Sequence, residues 1–393
     1  MSAGLVCIVT IHGVGFQHAP THRAPGYADP LHSHLLDALG DQVLGDDPGG
    51  APNEPRYDGP IYVRCGGVSP AARDHDPGLA RLGTWDPQKP RTVDCSSAQL
   101  RDGDKPIAHI ALTYADIEGH GWHHLAMAET VSKGIVSLHH YSAALGFLRM
   151  GITDLVQGSV HHQPAEQTAS LHVRSDILEH LPAIPGRQRN SDWYTTLRQI
   201  EDDVATYVCR NDIRVQVRSF VREALIRLAC RDDVDAIVIN SHSNGTVVAF
   251  DVLHEFPLFA AAKIKGFITS GSPLRKYVDL FLWGSEVGSI HSMGPWLNFG
   301  DHRDVVADPL MPEAWQPGSA WANLGRRKST KSLFHWMNPD TNARESQQIQ
   351  DIGVDNMKNS SGGGLQAHNY WDNTAEVVKP LASFLQRVVA GGA

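Results

Sequence analysis

Seven short apolar runs recur along the chain, at residues 5–11, 61–65, 107–114, 236–240, 264–270, 296–299 and 349–354. Most are rich in valine, isoleucine or phenylalanine and show little strict alternation. Such runs predict strands buried on both faces, as in a parallel sheet. Between some of them the spacing changes. Over 193–231, Ile213, Val217, Phe220, Val221, Leu225 and Leu228 fall three or four positions apart, which puts them on one helix face. Residues 246–256 predict a helix that stops before Pro257, and 374–389 predict an amphipathic one. Alternating strands and helices imply an α/β fold: a mostly parallel central sheet with helices on both faces.

Three regions break the alternation. Residues 40–60 are rich in Gly, Pro and Asp and predict a surface loop. Residues 115–192 carry apolar helical stretches, too apolar for a linker, and predict a helical cap or lid inserted into a single domain made of 1–114 and 193–393. Residues 312–345 hold Trp315, Trp321 and Trp336 among turn residues. No repeat with a period of 20–50 residues is present.

Composition narrows the function classes. The 393 residues are 41% hydrophobic and 20% charged, with a formal net charge of −9 and no dense Lys/Arg block. That argues against nucleic acid or an anionic membrane as partner. Cys7, Cys65, Cys95, Cys209 and Cys230 are odd in number and contain no CxxC pair, which suits a reducing compartment. The first residues lack a basic segment and lead from a β-branched run into a His-Gly motif, so they predict a strand rather than a signal peptide. With no run of 18 apolar residues, the expectation is a cytoplasmic protein without a stable membrane anchor.

The chemistry gathers at four places. Ser241-His242-Ser243-Asn244-Gly245 lies between a predicted strand and a predicted helix. A sharp turn there would expose Ser243 as a nucleophile, with small residues needed two positions to either side because the backbones pass closely. Asn244 would offer its backbone N–H to an oxyanion. Ile11-His12-Gly13-Val14-Gly15 follows the first strand, where the Val14 N–H could be the second oxyanion donor. Asp304, followed by Val305-Val306, comes after the 296–299 strand and suits an acid that orients an imidazole. Asp301 is its main rival and Asp308 a distant one. His368, in Ala367-His368-Asn369-Tyr370-Trp371, precedes the last helix and could shuttle the serine proton.

The order Ser243, Asp304, His368, with the HGVG, SHSNG, SGSPL, WLNFGDHRDVV and AHNYW segments, resembles an α/β-hydrolase of the serine esterase/lipase type. The resemblance implies acyl-enzyme chemistry on Ser243 with no cofactor, and the apolar 115–192 and tryptophan-bearing 312–345 stretches point to a small-molecule hydrophobic ester as substrate. His12, Gly13, Gly15 and Gly245 support the motifs. Two features depart from the family. Ser241 stands where glycine is usual, and the chain starts at the oxyanion strand, which implies an N-terminally trimmed sheet. The same triad would also serve a thioesterase or an acyltransferase, and a binding protein that had kept the fold and lost the chemistry is a further alternative. Trp122, Met127, Leu145, Phe147 and Leu148 of the cap could line an acyl pocket or simply pack. The pairs His123/His124, His139/His140 and His161/His162, with His32 and His34, lack well-spaced acid or cysteine partners, so no metal site is assigned. Oligomeric state is not legible.

Overall fold

The computed structural model describes residues 4–13, 19–21, 24–49, 56–65, 77–85, 89, 91–96, 98–114, 207, 211–254, 256–275, 289–291, 294–304, 306–311, 334–338, 343–346, 349–360 and 366–391. The predicted cap at 115–192, with its five proposed pocket residues and three histidine pairs, lies outside the described residues. So do Val14, Gly15, Cys209, Val305, Trp315 and Trp321.

In chain order the elements are β1 (Leu5–Ile11), α1 (Asp29–Leu39), β2 (Leu44–Gly45), β3 (Ile61–Arg64), β4 (Thr84–Trp85), β5 (Val93–Asp94) and β6 (Ile107–Thr113). Then come α2 (Asn211–Cys230), β7 (Val234–His242), α3 (Gly245–His254), α4 (Leu258–Ala261), β8 (Ile264–Ser270) and β9 (Ser289–His291). The chain continues through β10 (Trp296–Asp301), β11 (His335–Asn338), β12 (Ala343–Ser346), β13 (Ile349–Val354), α5 (Asn356–Asn359) and α6 (Lys379–Val389).

The central sheet runs β13-β10-β8-β7-β1-β6-β2, with β3 also on β6. Every pairing in it is parallel. This is the α/β architecture expected from the buried apolar runs. Successive side chains of β1 point to opposite faces. Leu5, Cys7, Val9 and Ile11 join a core with α2 and α3, whereas Val6 and Ile8 join one with α1 and α6. Both faces are therefore covered, and both sets are buried. Gly266 on β8 lets α6 come close, since a Cβ there would stand 2.5 Å from the Phe384 ring. No helix among the described residues is long and apolar enough to cross a membrane.

Some boundaries differ from the sequence pattern. Helix α1 was not predicted, although Asp29 and Pro30 open it and Leu31, Leu35 and Leu39 are buried along it. Within the predicted loop 40–60, Leu44 and Gly45 form β2 and pair with β6. Strand β7 extends through His242, two residues past its apolar run. The predicted last helix begins with a π-helical turn, Thr374–Val378, before α6.

The sheet also sets where a ligand would sit. From β1 the chain moves to β2, β3 and β6 on one side, then crosses to β7, β8, β10 and β13 on the other. The order reverses about β1, and such a switch point leaves a crevice at the carboxyl ends of the flanking strands. His12-Gly13, Ser243, Gly271 and Asp304 all follow strand carboxyl ends at or near that crevice.

Candidate active site

Ser243 and Asn244 are the whole connection between β7 and α3. Ser243 has φ 55°, and among the described residues no other non-glycine has a positive φ. An L-residue rarely takes that left-handed conformation. The turn is held by local bonds. The Ser243 N–H donates to the Ser270 carbonyl at 2.9 Å, and the Ser243 carbonyl accepts the Thr246 N–H at 3.0 Å and its hydroxyl at 2.8 Å. The steric demand on each side is visible. A Cβ at Gly245 would lie 2.4 Å from the Ile11 carbonyl oxygen, so only glycine fits there. Ser241 tolerates its position because its hydroxyl donates to the Ile268 carbonyl at 3.1 Å within the sheet.

Gly13 approaches the same turn from β1. A Cβ at Gly13 would stand 2.9 Å from Ser243 Cβ, 3.0 Å from the Asn244 amide nitrogen and 3.1 Å from Ser243 Oγ. The volume a side chain would take at position 13 therefore borders both the serine oxygen and the first amide of the turn into α3. That is the volume an oxyanion on a Ser243-bound tetrahedral carbon would need.

On the other side of Ser243, the strand-end residues Ser270 and Gly271 lead to a histidine. Gly271 has φ 60°, and a Cβ there would meet His368 Cε1 at 2.8 Å. The His368 ring also lies 4.5 Å, centroid to centroid, from the ring of His242, the neighbour of Ser243. His368 Nδ1 donates to Asp304 Oδ2 at 2.7 Å. Its Nε2 is buried and has no hydrogen-bond partner among the described residues.

The structure separates the candidate acids. Asp304 faces the imidazole, and its Oδ1 accepts the Val306 N–H at 2.9 Å. Burial works against its charge, but the adjacent His368 and the hydrogen bonds from His368, Val306 and Tyr370 outweigh it, and the carboxyl titrates below its ordinary range. Asp301 is fully buried and spends its oxygens on backbone amides, those of Arg303 at 2.8 Å and Asn356 at 2.6 Å. Burial raises its pKa. It anchors the loop and the start of α5. The amide of Asp308 donates to the Ser272 carbonyl at 3.0 Å, tying that residue to the loop after β8.

Aromatic rings pack beside the turn. His12 and Trp371 contact each other and both Tyr27 and His242, at centroid distances of 5.0–6.1 Å. His242 donates Nε2–H to the His368 carbonyl at 2.9 Å. Burial, and then the nearby His368, hold its pKa well below the usual 6.5, so it is neutral. His12 donates Nδ1–H to the Gly13 carbonyl at 2.7 Å, and the Tyr114 hydroxyl donates to the His12 carbonyl at 2.6 Å.

The structure thus brings Ser243, Asn244, Gly245, His12 and Gly13 to one end of the sheet, and Asp304 and His368 into direct contact. Val14 and Gly15 are outside the described residues. Sequence reasoning gave His242 and Tyr370 no role, although both stood inside quoted motifs. Their partners, a backbone carbonyl 126 positions away and a carboxylate 66 positions away, leave no local spacing signal. No family model matches the chain, and no curated protein or solved structure matches it either.

Proposed function

We propose that the protein is a serine hydrolase of the α/β-hydrolase type that cleaves carboxylic esters of hydrophobic substrates through an acyl-enzyme on Ser243. The observation that carries this reading is Ser243 in a left-handed turn between β7 and α3, with the Asp304-bonded His368 ring against its neighbour His242. A strained serine at that point has no structural advantage over glycine, and a buried imidazole nitrogen without a partner among the described residues costs stability. Both become useful if a substrate and a proton transfer complete the site.

In the proposed cycle, His368 Nε2 takes the Ser243 proton as Oγ attacks the ester carbonyl. Asp304, ionised at neutral pH, stabilises the imidazolium and fixes which nitrogen carries the first proton. The Asn244 N–H, at the start of α3, and the Val14 N–H are the proposed oxyanion donors. His368 then protonates the departing alcohol, and water repeats the steps on the acyl-enzyme. No cofactor is required. The preference for a hydrophobic ester rests on the apolar sequence of 115–192 and the tryptophans of 312–345.

Incubation of the intact protein with a fluorophosphonate probe, followed by peptide mapping, tests the reading. The expected result is one adduct, on Ser243, that competes with p-nitrophenyl esters of increasing chain length. Probe on another residue, or none at all, overturns the assignment.

A further inference from the structure

Asp304 Oδ2 serves two donors. Besides His368 Nδ1 at 2.7 Å, it accepts the Tyr370 hydroxyl at 2.8 Å. The direction of that second bond is fixed, because the Tyr370 oxygen itself accepts the Asp301 N–H at 2.8 Å and its one proton goes to Asp304. The phenol is fully buried. Burial, and then the Asp304 charge, push its pKa well above 10, so it stays a donor throughout the working pH range.

Position along the chain gives this bond a consequence. Tyr370 stands two residues after His368, so one short segment carries both donors to one carboxylate oxygen. That segment is pinned twice more. Asn356 donates to the Ala367 carbonyl at 2.7 Å, and His242 to the His368 carbonyl at 2.9 Å. Geometry alone is therefore well supplied by other contacts. What Tyr370 adds is a competitor for the electron density of Oδ2.

We propose that Tyr370 is a positioning residue that weakens the hold of Asp304 on His368 and so sets the pH at which His368 becomes a usable base. This rests on the reading of Ser243, His368 and Asp304 as a catalytic set. A carboxylate hydrogen-bonded by a phenol is a poorer acceptor and stabilises the imidazolium less. The other groups around the pair are His242 and Ser243 from β7 and its turn, Asp301 and His302 from the end of β10, and His12 behind His242. Asp301 reaches Asp304 through the Tyr370 hydroxyl.

The test is a pH titration of the full chain by NMR with histidine labelled at Cε1, the His368 signal being identified by its loss in His368→Gln. Tyr370→Phe is expected to raise the His368 midpoint, on the order of half a pH unit, by removing one charge-assisted hydrogen bond. The acidic limb of fluorophosphonate labelling should move up by the same amount. Replacing Tyr370 with 3-fluorotyrosine keeps both hydrogen bonds, makes the phenol a stronger donor and should lower the midpoint, which covers the case in which the phenylalanine variant does not fold. An unmoved midpoint in the folded variants overturns the proposal and leaves Tyr370 a packing residue. Absence of any label on wild-type Ser243 would instead overturn the hydrolase reading, while the NMR midpoints still decide the role of Tyr370.

Discussion

Among the described residues two histidine networks stand side by side with the sheet, and they differ in whether their hydrogen bonds close. The first crosses the sheet on its α1 face. Asn240 Nδ2 donates to Thr10 Oγ1 at 3.3 Å, and Thr10 Oγ1 meets His109 Nε2 at 2.7 Å. His109 Nδ1 meets His32 Nδ1 at 3.2 Å, and His32 Nε2 meets Asp46 at 3.0 Å. Both imidazoles are held neutral, chiefly by burial. With both neutral and Asp46 accepting, a single assignment satisfies every contact, with protons pointing from Asn240 towards Asp46. The second network, His12, His242 and His368, ends at an imidazole nitrogen with no partner among the described residues. A closed network of this kind holds structure together. The open one leaves an atom available for chemistry.

Substitution at the open end should have the largest effect. His368→Gln is expected to lower Ser243 labelling and ester turnover by about 10⁴–10⁶-fold while the thermal midpoint stays near wild type. A comparable loss of stability would show that His368 is a core residue like His109. Gly13→Ala should follow, with a loss of roughly 10²–10³-fold, because its methyl group would occupy the space beside Ser243 Oγ and the Asn244 amide. Undiminished turnover there would remove the oxyanion from that space.

At the closed network the effects should reverse. His109→Leu strands the Thr10 hydroxyl and His32 Nδ1, so urea unfolding is expected to show a loss of about 2–4 kcal/mol. The labelling rate of the folded protein should be unchanged. The pH dependence sharpens the same point. His32, His109 and His242 have folded pKa values below their usual 6.5. Above that pH neither folded nor unfolded chain carries these protons, and stability is full. Below it the unfolded chain binds protons that the folded one refuses, so stability falls with falling pH by about 1.4 kcal/mol per unit for each such histidine. In His109→Leu the fall should be shallower by one histidine, and an identical slope would mean that His109 is already protonated in the native state.

Much of this was legible in the sequence for a physical reason. A strand buried on both faces must be almost wholly apolar, so β1 could be bounded to the residue and β8 nearly as plainly. The small residues at Gly13 and Gly245 also register locally, because the close backbone approach they permit leaves no other choice. What stayed hidden depended on distant partners. Helix α1 buries His32, which interrupts its apolar stripe and finds its partners off the helix, at Asp46 and at His109, 14 and 77 positions on. Which of Asp301 and Asp304 bonds His368 needed the loop itself, since both aspartates are buried and face different partners.

The backbone of Ser243 carries a consequence for selection. Holding an L-residue at φ 55° costs about 1–2 kcal/mol, whereas glycine would sit there unstrained and lose only about 0.5–1 kcal/mol through the freer unfolded chain. Ser243→Gly is therefore expected to melt slightly above wild type, and a lower melting point would show that the turn is not strained. Any screen for heat resistance alone would then favour chains that have discarded their proposed nucleophile. At this residue durability and reactivity pull in opposite directions, and a stabilised variant should be checked for its serine before it is kept.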